Sequence, residues 1–314
     1  MIGAKYVDSF DGAKIYTRLW DETKNPRGVV LIIHGMCEHS KRYEDFAKFL
    51  NKHDYVCFAF DLRAHGKTSV SIDALGKYDG DLFADTVNDA IFFSHLLNEL
   101  YPSLPLLVFG HSFGSFVLQR YVECYDQYKG VVFCGSANMK HQASVSLGQF
   151  ISGISKFFCG KNKKAKMIAK LSFGAYAKPF ENGNWLTRDE KVWENYNKDE
   201  YCGFICSHNF YYSFFKNLKK IYKKDNLEQI NKSKPMLIIS GSQDPVGSFG
   251  KLSTKLDDLY TKIGVTQKEF KLYDGARHEL LNETNKEEVY ADMLKYLDKC
   301  TQKSVARRKT AKNT

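Results

Sequence analysis

The stretch "LPLLVFGHSFGSFVLQRYVECY" (residues 104–125) changes character twice within a few residues. Its first part, Leu104–Phe109, is a nearly continuous apolar run, which predicts a strand that is covered on both faces. After Ser112 the apolar residues return three and four apart, which predicts a helix. Gly110 and Gly114 flank this serine in a G-x-S-x-G pattern. The context favours a nucleophile held in a strained strand-to-helix turn, and an ordinary glycine-rich turn is the alternative.

Apolar runs of the same kind recur along the chain and leave room for helices between them. The predicted strands are 14–20, 28–35, 55–61, 104–110, 130–136, 234–241 and 268–275. Helical patterns follow several of these runs, among them 81–102, 113–125 and 285–300. Buried strands that alternate with helices predict an α/β fold with a mostly parallel central sheet and flanking helices.

One interval between strands is too long for a simple connection. About 100 residues separate the runs at 130–136 and 234–241, whereas a crossover connection needs only a few dozen. The excess, 137–207, is aromatic and contains helical pieces, and an unstructured loop of this length is uncommon. We therefore predict an inserted helical cap at 137–207 on an α/β-type core formed by 1–136 and 208–300.

The composition is that of a globular protein, with 43% hydrophobic and 26% charged residues among 314. The first residues lack the apolar core of a signal peptide, and the eight cysteines form no C-x-x-C pair. These features predict a reducing, cytoplasmic location. Cys202, Cys206 and His208 match no usual zinc spacing, so we expect no metal site.

Half of the net charge of +10 lies at one end of the chain. The last 14 residues, 301–314, hold five lysines and arginines and no acidic residue, without apolar periodicity. Such a segment predicts a disordered basic tail. No RNA-binding or DNA-binding motif occurs, so we expect no nucleic-acid partner.

A serine nucleophile needs a base and an acid that orients the base. His278 is the histidine that follows the last strong strand, in a loop before the final helix, where this type of fold carries its base. Asp244 lies just beyond the strand at 234–241 and is the predicted acid. Asp274, four residues before the histidine, is the alternative acid. A further alternative is that Asp244 only caps the helix that follows it.

Two backbone N–H groups are also needed to stabilise an oxyanion. One should come from Phe113, the residue after the predicted nucleophile, and the other from the loop after an early strand. In that loop Gly35 permits a tight turn, so Met36 is the predicted second donor. His34 is expected to support the loop without reacting.

Five segments resemble the α/β-hydrolases of the monoacylglycerol lipase and lysophospholipase group, the serine aminopeptidase-like or Hydrolase_4 family. The similarity runs in order through residues 1 to 300. The segments that carry it are "HGMCEHSKRY" (34–43), "FDLRAHGKTS" (60–69), "GHSFGS" (110–115), "SQDPVGSFGK" (242–251) and "GARHELLNE" (275–283). Ala64 occupies a position that is often glycine in the family, a change that leaves the chemistry untouched.

The resemblance implies an α/β-hydrolase fold, a cap over an acyl-binding tunnel and hydrolysis through an acyl-enzyme without metal or organic cofactor. It assigns Ser112 as nucleophile, Asp244 as acid and His278 as base. Esters of acyl lipids, such as a monoacylglycerol or lysophospholipid, are the expected small-molecule substrates. The alternatives are a non-catalytic ligand-binding protein on the same fold, and a peptidase or amidase that uses the same residues.

The first part of the cap is strongly basic. From Gln127 to Phe180 the chain has nine lysines and no acidic residue, and the apolar sequence "FISGISKFF" lies among them. A basic and partly apolar cap suits transient contact with an anionic lipid surface. A solvated face, enriched in lysine by codon usage, is the alternative.

Overall fold

A computed structural model describes residues 3–311, with the backbone alone for 302–311. Eight strands among these residues form one sheet in the order β1-β2-β4-β3-β5-β6-β7-β8. The strands are β1 (Gly3–Asp8), β2 (Lys14–Trp20), β3 (Gly28–Ile33), β4 (Tyr55–Phe60), β5 (Leu106–His111), β6 (Gly130–Cys134), β7 (Met236–Gly241) and β8 (Lys268–Tyr273). The pairs β1–β2 and β2–β4 are antiparallel, and the other pairs are parallel. This confirms the predicted α/β fold with a mostly parallel sheet.

Helices cover both faces of the sheet and fill the interval between β6 and β7. The helices are α1 (Glu44–Asn51), α2 (Leu82–Leu100), α3 (Phe113–Cys124), α4 (Ala143–Cys159), α5 (Lys166–Ala177), α6 (Glu190–Lys198), α7 (His208–Ile221), α8 (Lys224–Glu228), α9 (Lys251–Lys262) and α10 (Lys286–Ala311). Within the described residues no helix combines the length and the apolar character that crossing a bilayer requires.

The core lies in two layers, one on each face of the sheet. Along β3, Val30 and Ile32 pack in the layer that includes residues of α1 and α10. Val29 and Leu31 pack in the opposite layer, with residues of α2, α3 and α9. Because successive side chains of a strand point to opposite faces, a strand buried on both faces must be apolar throughout. This is the physical reason for the continuous apolar runs in the sequence.

The parallel strands carry their carboxyl ends to one edge of the sheet, where the loops after β3, β5, β7 and β8 meet. Helices α4 to α6 lie within the predicted cap, whereas α7 and α8 lie in the predicted core segment 208–300, and α7 packs on α2 as well as on α4. The boundaries of the predicted core (1–136, 208–300) and cap (137–207) stay a prediction.

Two ends of the chain differ from the prediction. The strand β1 was not predicted, because its exposed residues show no apolar alternation. The final helix continues past the predicted 285–300 to Ala311, and 312–314 lie outside the described residues. The disordered tail predicted for 301–314 stays a prediction. The continuation has a simple cause: between Lys286 and Ala311 no glycine or proline interrupts the helix.

Candidate active site

Ser112 forms a sharp corner between β5 and α3. Its φ of 51° lies in the left-handed region, which is strained for any residue other than glycine. A Cβ on Gly110 would lie 2.5 Å from the carbonyl oxygen of Gly114, and a Cβ on Gly114 would lie 2.1 Å from that of Ile33. Both flanking positions therefore require glycine, which is the property of a nucleophile turn rather than of an ordinary one.

His278 and Asp244 form a buried pair beside this corner. The imidazole Nδ1 donates a hydrogen bond to Asp244 Oδ2 at 2.9 Å, and both side chains are almost fully buried. The other carboxylate oxygen accepts the N–H of Val246 at 2.9 Å, which fixes the acid in place. A proton on Nδ1 leaves Nε2 as the basic nitrogen. Among the described residues Nε2 has no hydrogen-bond partner, and His278 lines the same cavity as Ser112.

The alternative acid, Asp274, has a different environment. It is exposed, and it accepts a hydrogen bond from the Ser242 hydroxyl at 3.3 Å. Because an orienting acid must hold the imidazole N–H in a fixed geometry, the contact to His278 favours Asp244.

The loop after β3 carries Met36, one of the two predicted oxyanion donors, to the cavities that Ser112 borders. His34 is fully buried; its Nδ1 donates to the Gly35 carbonyl at 2.8 Å, and its Nε2 accepts the N–H of Leu62 at 3.0 Å. Burial lowers the pKa of His34, which keeps it neutral in this supporting role. Met36 borders the same cavities as Ser112. Phe113 is the first residue of α3, so its N–H has no acceptor within the helix.

A cluster of buried charges, which was not predicted from the sequence, lies next to the loop after β3. The Glu38 carboxylate contacts Arg42 at 2.7 Å and His111 at 3.2 Å, and Arg42 also contacts Glu279 at 2.6 Å. These residues lie in the segments that carry the family resemblance, but nothing in their types shows that they are buried together.

The segment around Asp61 has a structural role. Its carboxylate accepts the N–H and the hydroxyl of Ser40 and the N–H of Lys67, which joins the loops after β3 and β4. Ala64 has a φ of 59°, and this explains why glycine suits the position.

Two cavities meet at Ser112. The larger one, of about 430 Å³, is apolar and opens between α4, α5 and α7. The smaller one, of about 230 Å³, has more polar walls, which include His111, Tyr196 and Asn197. Ser112 borders both cavities. Apolar side chains line the larger cavity, among them Phe116, Ile151, Leu171, Phe173, Phe214 and Phe215.

One group of side chains within the described residues has ligand atoms close enough for a metal: His39, Asp199 and Cys202, all within 4.8 Å of one another. The imidazole Nε2 of His39 already pairs with Asp199 at 2.9 Å, so both groups have a protein partner. Cys206, which stood near Cys202 in the sequence, instead has its Sγ 3.6 Å from that of Cys37. We propose no metal site here.

Comparisons with known proteins found a family model and sequence relatives that match most of this chain. A family model described as serine aminopeptidase, S33 (Hydrolase_4) matches residues 24–285. The monoacylglycerol lipase of Mycolicibacterium smegmatis is 25% identical over 300 residues, which cover 91% of this chain and 93% of that protein. The monoglyceride lipase of Saccharomyces cerevisiae is 27% identical over 317 residues, which cover 94% of this chain and 93% of that protein.

A solved structure shows the same fold. A highly thermostable carboxyl esterase from Bacillus coagulans, in complex with glycerol, superimposes with a TM-score of 0.87 at 23% identity. The superposition covers 96% of this chain and 99% of that chain. The resemblance and the α/β-hydrolase fold predicted from the sequence are thereby confirmed.

Proposed function

The chain belongs to the family described as serine aminopeptidase, S33 (Hydrolase_4), and on this premise we propose that it is a serine hydrolase that cleaves carboxylic esters of acyl lipids. Monoacylglycerols and lysophospholipids are the proposed substrates. The observation that carries the proposal is the position of Ser112, where an apolar cavity of about 430 Å³ meets a smaller and more polar one. An ester of a long acyl chain and a polar alcohol has the same two-part character.

The proposed reaction proceeds through an acyl-enzyme. His278 Nε2 takes the proton of the Ser112 hydroxyl as its oxygen attacks the ester carbonyl. The N–H groups of Met36 and Phe113 stabilise the negative oxygen that forms, and Asp244 stabilises the imidazolium. His278 then protonates the leaving alcohol, and a water molecule repeats the sequence to release the fatty acid.

Each part of the substrate has a proposed place. The acyl chain lies in the apolar cavity, where every buried methylene contributes about 0.8 kcal/mol. The alcohol lies in the polar cavity, where the amide of Asn197 offers hydrogen-bonding groups to hydroxyls.

Covalent labelling by a fluorophosphonate tests the nucleophile directly. We expect wild type and the control Ser233→Ala, an exposed serine far from the cavities, to be labelled. Ser112→Ala should not be labelled, and its turnover of a p-nitrophenyl ester should fall by several orders of magnitude. Full labelling of Ser112→Ala would refute the assignment.

Labelling, combined with the rates of ester and amide cleavage, separates the alternatives. A non-catalytic ligand-binding protein would not be labelled, although it could hold an acyl ester in its cavity. A peptidase or amidase would be labelled but would cleave aminoacyl p-nitroanilides faster than p-nitrophenyl esters. We expect the opposite order of rates.

We also propose that the protein contacts anionic lipid surfaces through α4 and α5. Seven large apolar side chains on these helices are exposed, and Phe157 and Phe158 are 82% and 78% exposed. We call this set the α4–α5 surface; its members are Leu147, Phe150, Ile154, Phe157, Phe158, Met167 and Leu171. Leu147 and Leu171 also line the apolar cavity, so the surface lies at the cavity mouth.

Exposed lysines follow α4 and continue into α5, and their charge favours a lipid surface that is anionic. Exposed lysines follow at positions 161, 163, 164, 166 and 170, in a segment without acidic residues. An apolar face with a basic border suits insertion at the interface of an anionic bilayer, because both burial and charge favour it. A lipid ester in that bilayer would then be close to the cavity mouth.

Vesicle co-sedimentation tests the lipid contact. We expect binding to phosphatidylglycerol vesicles at low salt, weaker binding at high salt, and little binding to phosphatidylcholine vesicles. The double substitution Phe157→Ser, Phe158→Ser should abolish binding. The control Val70→Ser, which removes an apolar side chain that is 94% exposed elsewhere, should leave it intact. Equal binding to both lipids, or none, would contradict the proposal.

A further inference from the structure

Glu38 is a buried carboxylate with an unusual number of donors. It is 3% exposed, and it accepts hydrogen bonds from the Gly35 N–H at 2.6 Å, the Tyr43 hydroxyl at 2.8 Å and Arg42 Nη1 at 2.7 Å. A ring nitrogen of His111 lies 3.2 Å from the same carboxylate. Burial opposes the charge, but these donors and cations outweigh it and hold the pKa of Glu38 well below its usual range.

His111 lies between two groups that can only accept hydrogen bonds. Its Nδ1 is 3.2 Å from Glu38 Oε1, and its Nε2 is 3.3 Å from the carbonyl oxygen of His278. A neutral imidazole has one N–H and would direct a lone pair at one of these oxygens. The arrangement therefore fits the doubly protonated imidazolium. Burial opposes that charge, but the hydrogen bond to Glu38 and its negative charge raise the pKa of His111.

A second connection leads from Glu38 to the same loop. Arg42 contacts Glu38 and also forms two hydrogen bonds of 2.6 Å to the two carboxylate oxygens of Glu279. Glu279 directly follows His278 in the chain. Glu38 is thus joined to the base by two routes, one through His111 and one through Arg42.

Glu38 also contacts the loop that carries the proposed oxyanion donor. Its bond to the Gly35 N–H holds the residue just before Met36, the proposed oxyanion donor. The space is tight, because a Cβ on Gly35 would lie 2.7 Å from Glu38 Oε1 and 3.2 Å from the Cβ of Ser112. A shift of the carboxylate would therefore move the oxyanion loop relative to the serine.

We propose that Glu38 and His111 are positioning residues that set the distance between the Met36 N–H and the His278 imidazole. The inference rests on the proposed function. It adds a charged pair to the set of Ser112, His278 and Asp244, and the rate of acylation depends on that pair. The charge itself matters: without the Glu38 carboxylate, His111 loses its second proton and can keep only one of its two bonds.

The charge-neutral variant Glu38→Gln tests the inference, because it keeps the size of the side chain and one acceptor oxygen. We expect kcat for a p-nitrophenyl ester to fall roughly 10–100-fold, as for a small misplacement of reacting groups, with KM within about twofold. The control Glu123→Gln changes another buried carboxyl group, paired with Arg120 in α3, and should keep wild-type kcat.

A spectroscopic readout separates positioning from a merely structural role. In ¹⁵N-histidine NMR spectra at pH 7.5, assigned with His111→Asn, both ring nitrogens of His111 should show imidazolium shifts in wild type and neutral shifts in Glu38→Gln. The variant should keep its thermal midpoint within a few degrees. If it does not fold, His111→Asn is measured instead, and it should show the same fall in kcat at unchanged KM.

The pH dependence gives a third readout. The titratable groups that face His111 are Glu38, Glu279 and the ring of His278, and Arg42 pairs with both of these carboxylates. A raised pKa means that the charged form is present at low pH and is lost as pH rises through that value. Acylation should therefore decline on the alkaline side, and this decline should move to lower pH in Glu38→Gln.

The outcomes distinguish this inference from the proposed function. Wild-type labelling of Ser112→Ala would refute the proposed function. If Ser112→Ala is inactive but Glu38→Gln keeps wild-type kcat, or its His111 stays cationic, only the positioning role is refuted. A rise in KM for monoacylglycerols with unchanged kcat for p-nitrophenyl esters would show that Glu38 binds the alcohol, and would also overturn the inference.

Discussion

At the scale of single residues, two aspartates offer a direct test of the site. Asp244→Asn should lower kcat for ester hydrolysis by roughly 10³–10⁴-fold, because an amide in place of the carboxylate favours the wrong imidazole tautomer. The matched control Asp274→Asn changes an exposed carboxylate that contacts Ser242, and should stay within about twofold of wild type. Equal losses in the two variants would contradict the geometry around His278.

A glycine substitution tests the corner at Ser112. The Cβ of Gly114→Ala would lie 2.1 Å from the Ile33 carbonyl oxygen, so the backbone must move. We expect a loss of about 1–3 kcal/mol in the free energy of unfolding, as in other overpacked sites, together with a large loss of activity. Gly174→Ala is the control: its Cβ meets only a flexible lysine at 3.8 Å, and it should stabilise α5 by about 0.5–1 kcal/mol. Urea midpoints and ester turnover measure both effects.

Sequence order predicted which residues come together, but it could not choose between all of them. Ser112 and His278 stood out because each follows a strand in the expected order. Asp244 and Asp274 both remained open, since the direction of a loop side chain depends on the folded backbone. Glu38 was not predicted because burial of its carboxylate depends on the fold, which brings His111 to it and, through Arg42, also Glu279. The catalytic roles of these residues stay proposals.

At the scale of the element, α3 carries a buried acid that makes stability depend on pH. Burial raises the pKa of Glu123 from 4.5 to about 8, although its Oε2 accepts a bond of 2.7 Å from Arg120. The folded protein thus holds this proton to higher pH than the unfolded chain, so wild-type stability should fall as pH rises from about 4.5 to about 8.

Glu123→Gln should remove this dependence. Relative to wild type, we expect the variant to gain stability between pH 5 and pH 9, on the order of 4 kcal/mol, because the pKa of Glu123 is raised by about 3.5 and one pKa unit corresponds to about 1.4 kcal/mol. Urea denaturation at pH 5, 7 and 9 measures the difference. Parallel pH profiles of the two proteins would show that Glu123 does not titrate as described.

The elements that the sequence predicted well are those whose burial is uniform. The strands β3 to β7 are continuous apolar runs because both of their faces are covered. The exposed strand β1 has no such pattern, and it joins the sheet by pairing with β2 at the edge. The length of α10 was not predicted for the opposite reason: the composition of 301–314 is that of a disordered tail, yet no glycine or proline stops a helix that has already begun.

At the scale of the whole molecule, the apolar cavity should set the preference for acyl length. Across p-nitrophenyl esters from acetate to palmitate, kcat/KM should rise by up to about fourfold per methylene, the equivalent of 0.8 kcal/mol, until the cavity is filled. Ile151→Trp places a larger side chain in the wall and should move the optimum to shorter chains. A flat profile in wild type would indicate that the acyl chain does not enter this cavity.

The neighbouring positions of β6 and β7 have a consequence for the nascent chain. Val131 pairs with Met236, so two strands that touch in the finished sheet are made far apart in time. At about 5–20 residues per second, the roughly 100 residues between them take about 5–20 s to synthesise. Throughout that delay one edge of β6 has no neighbour, and an apolar open edge invites pairing with other chains. The residues of α4 to α8 must therefore be synthesised before β7 can pair with β6 and cover the edge that is prone to aggregation.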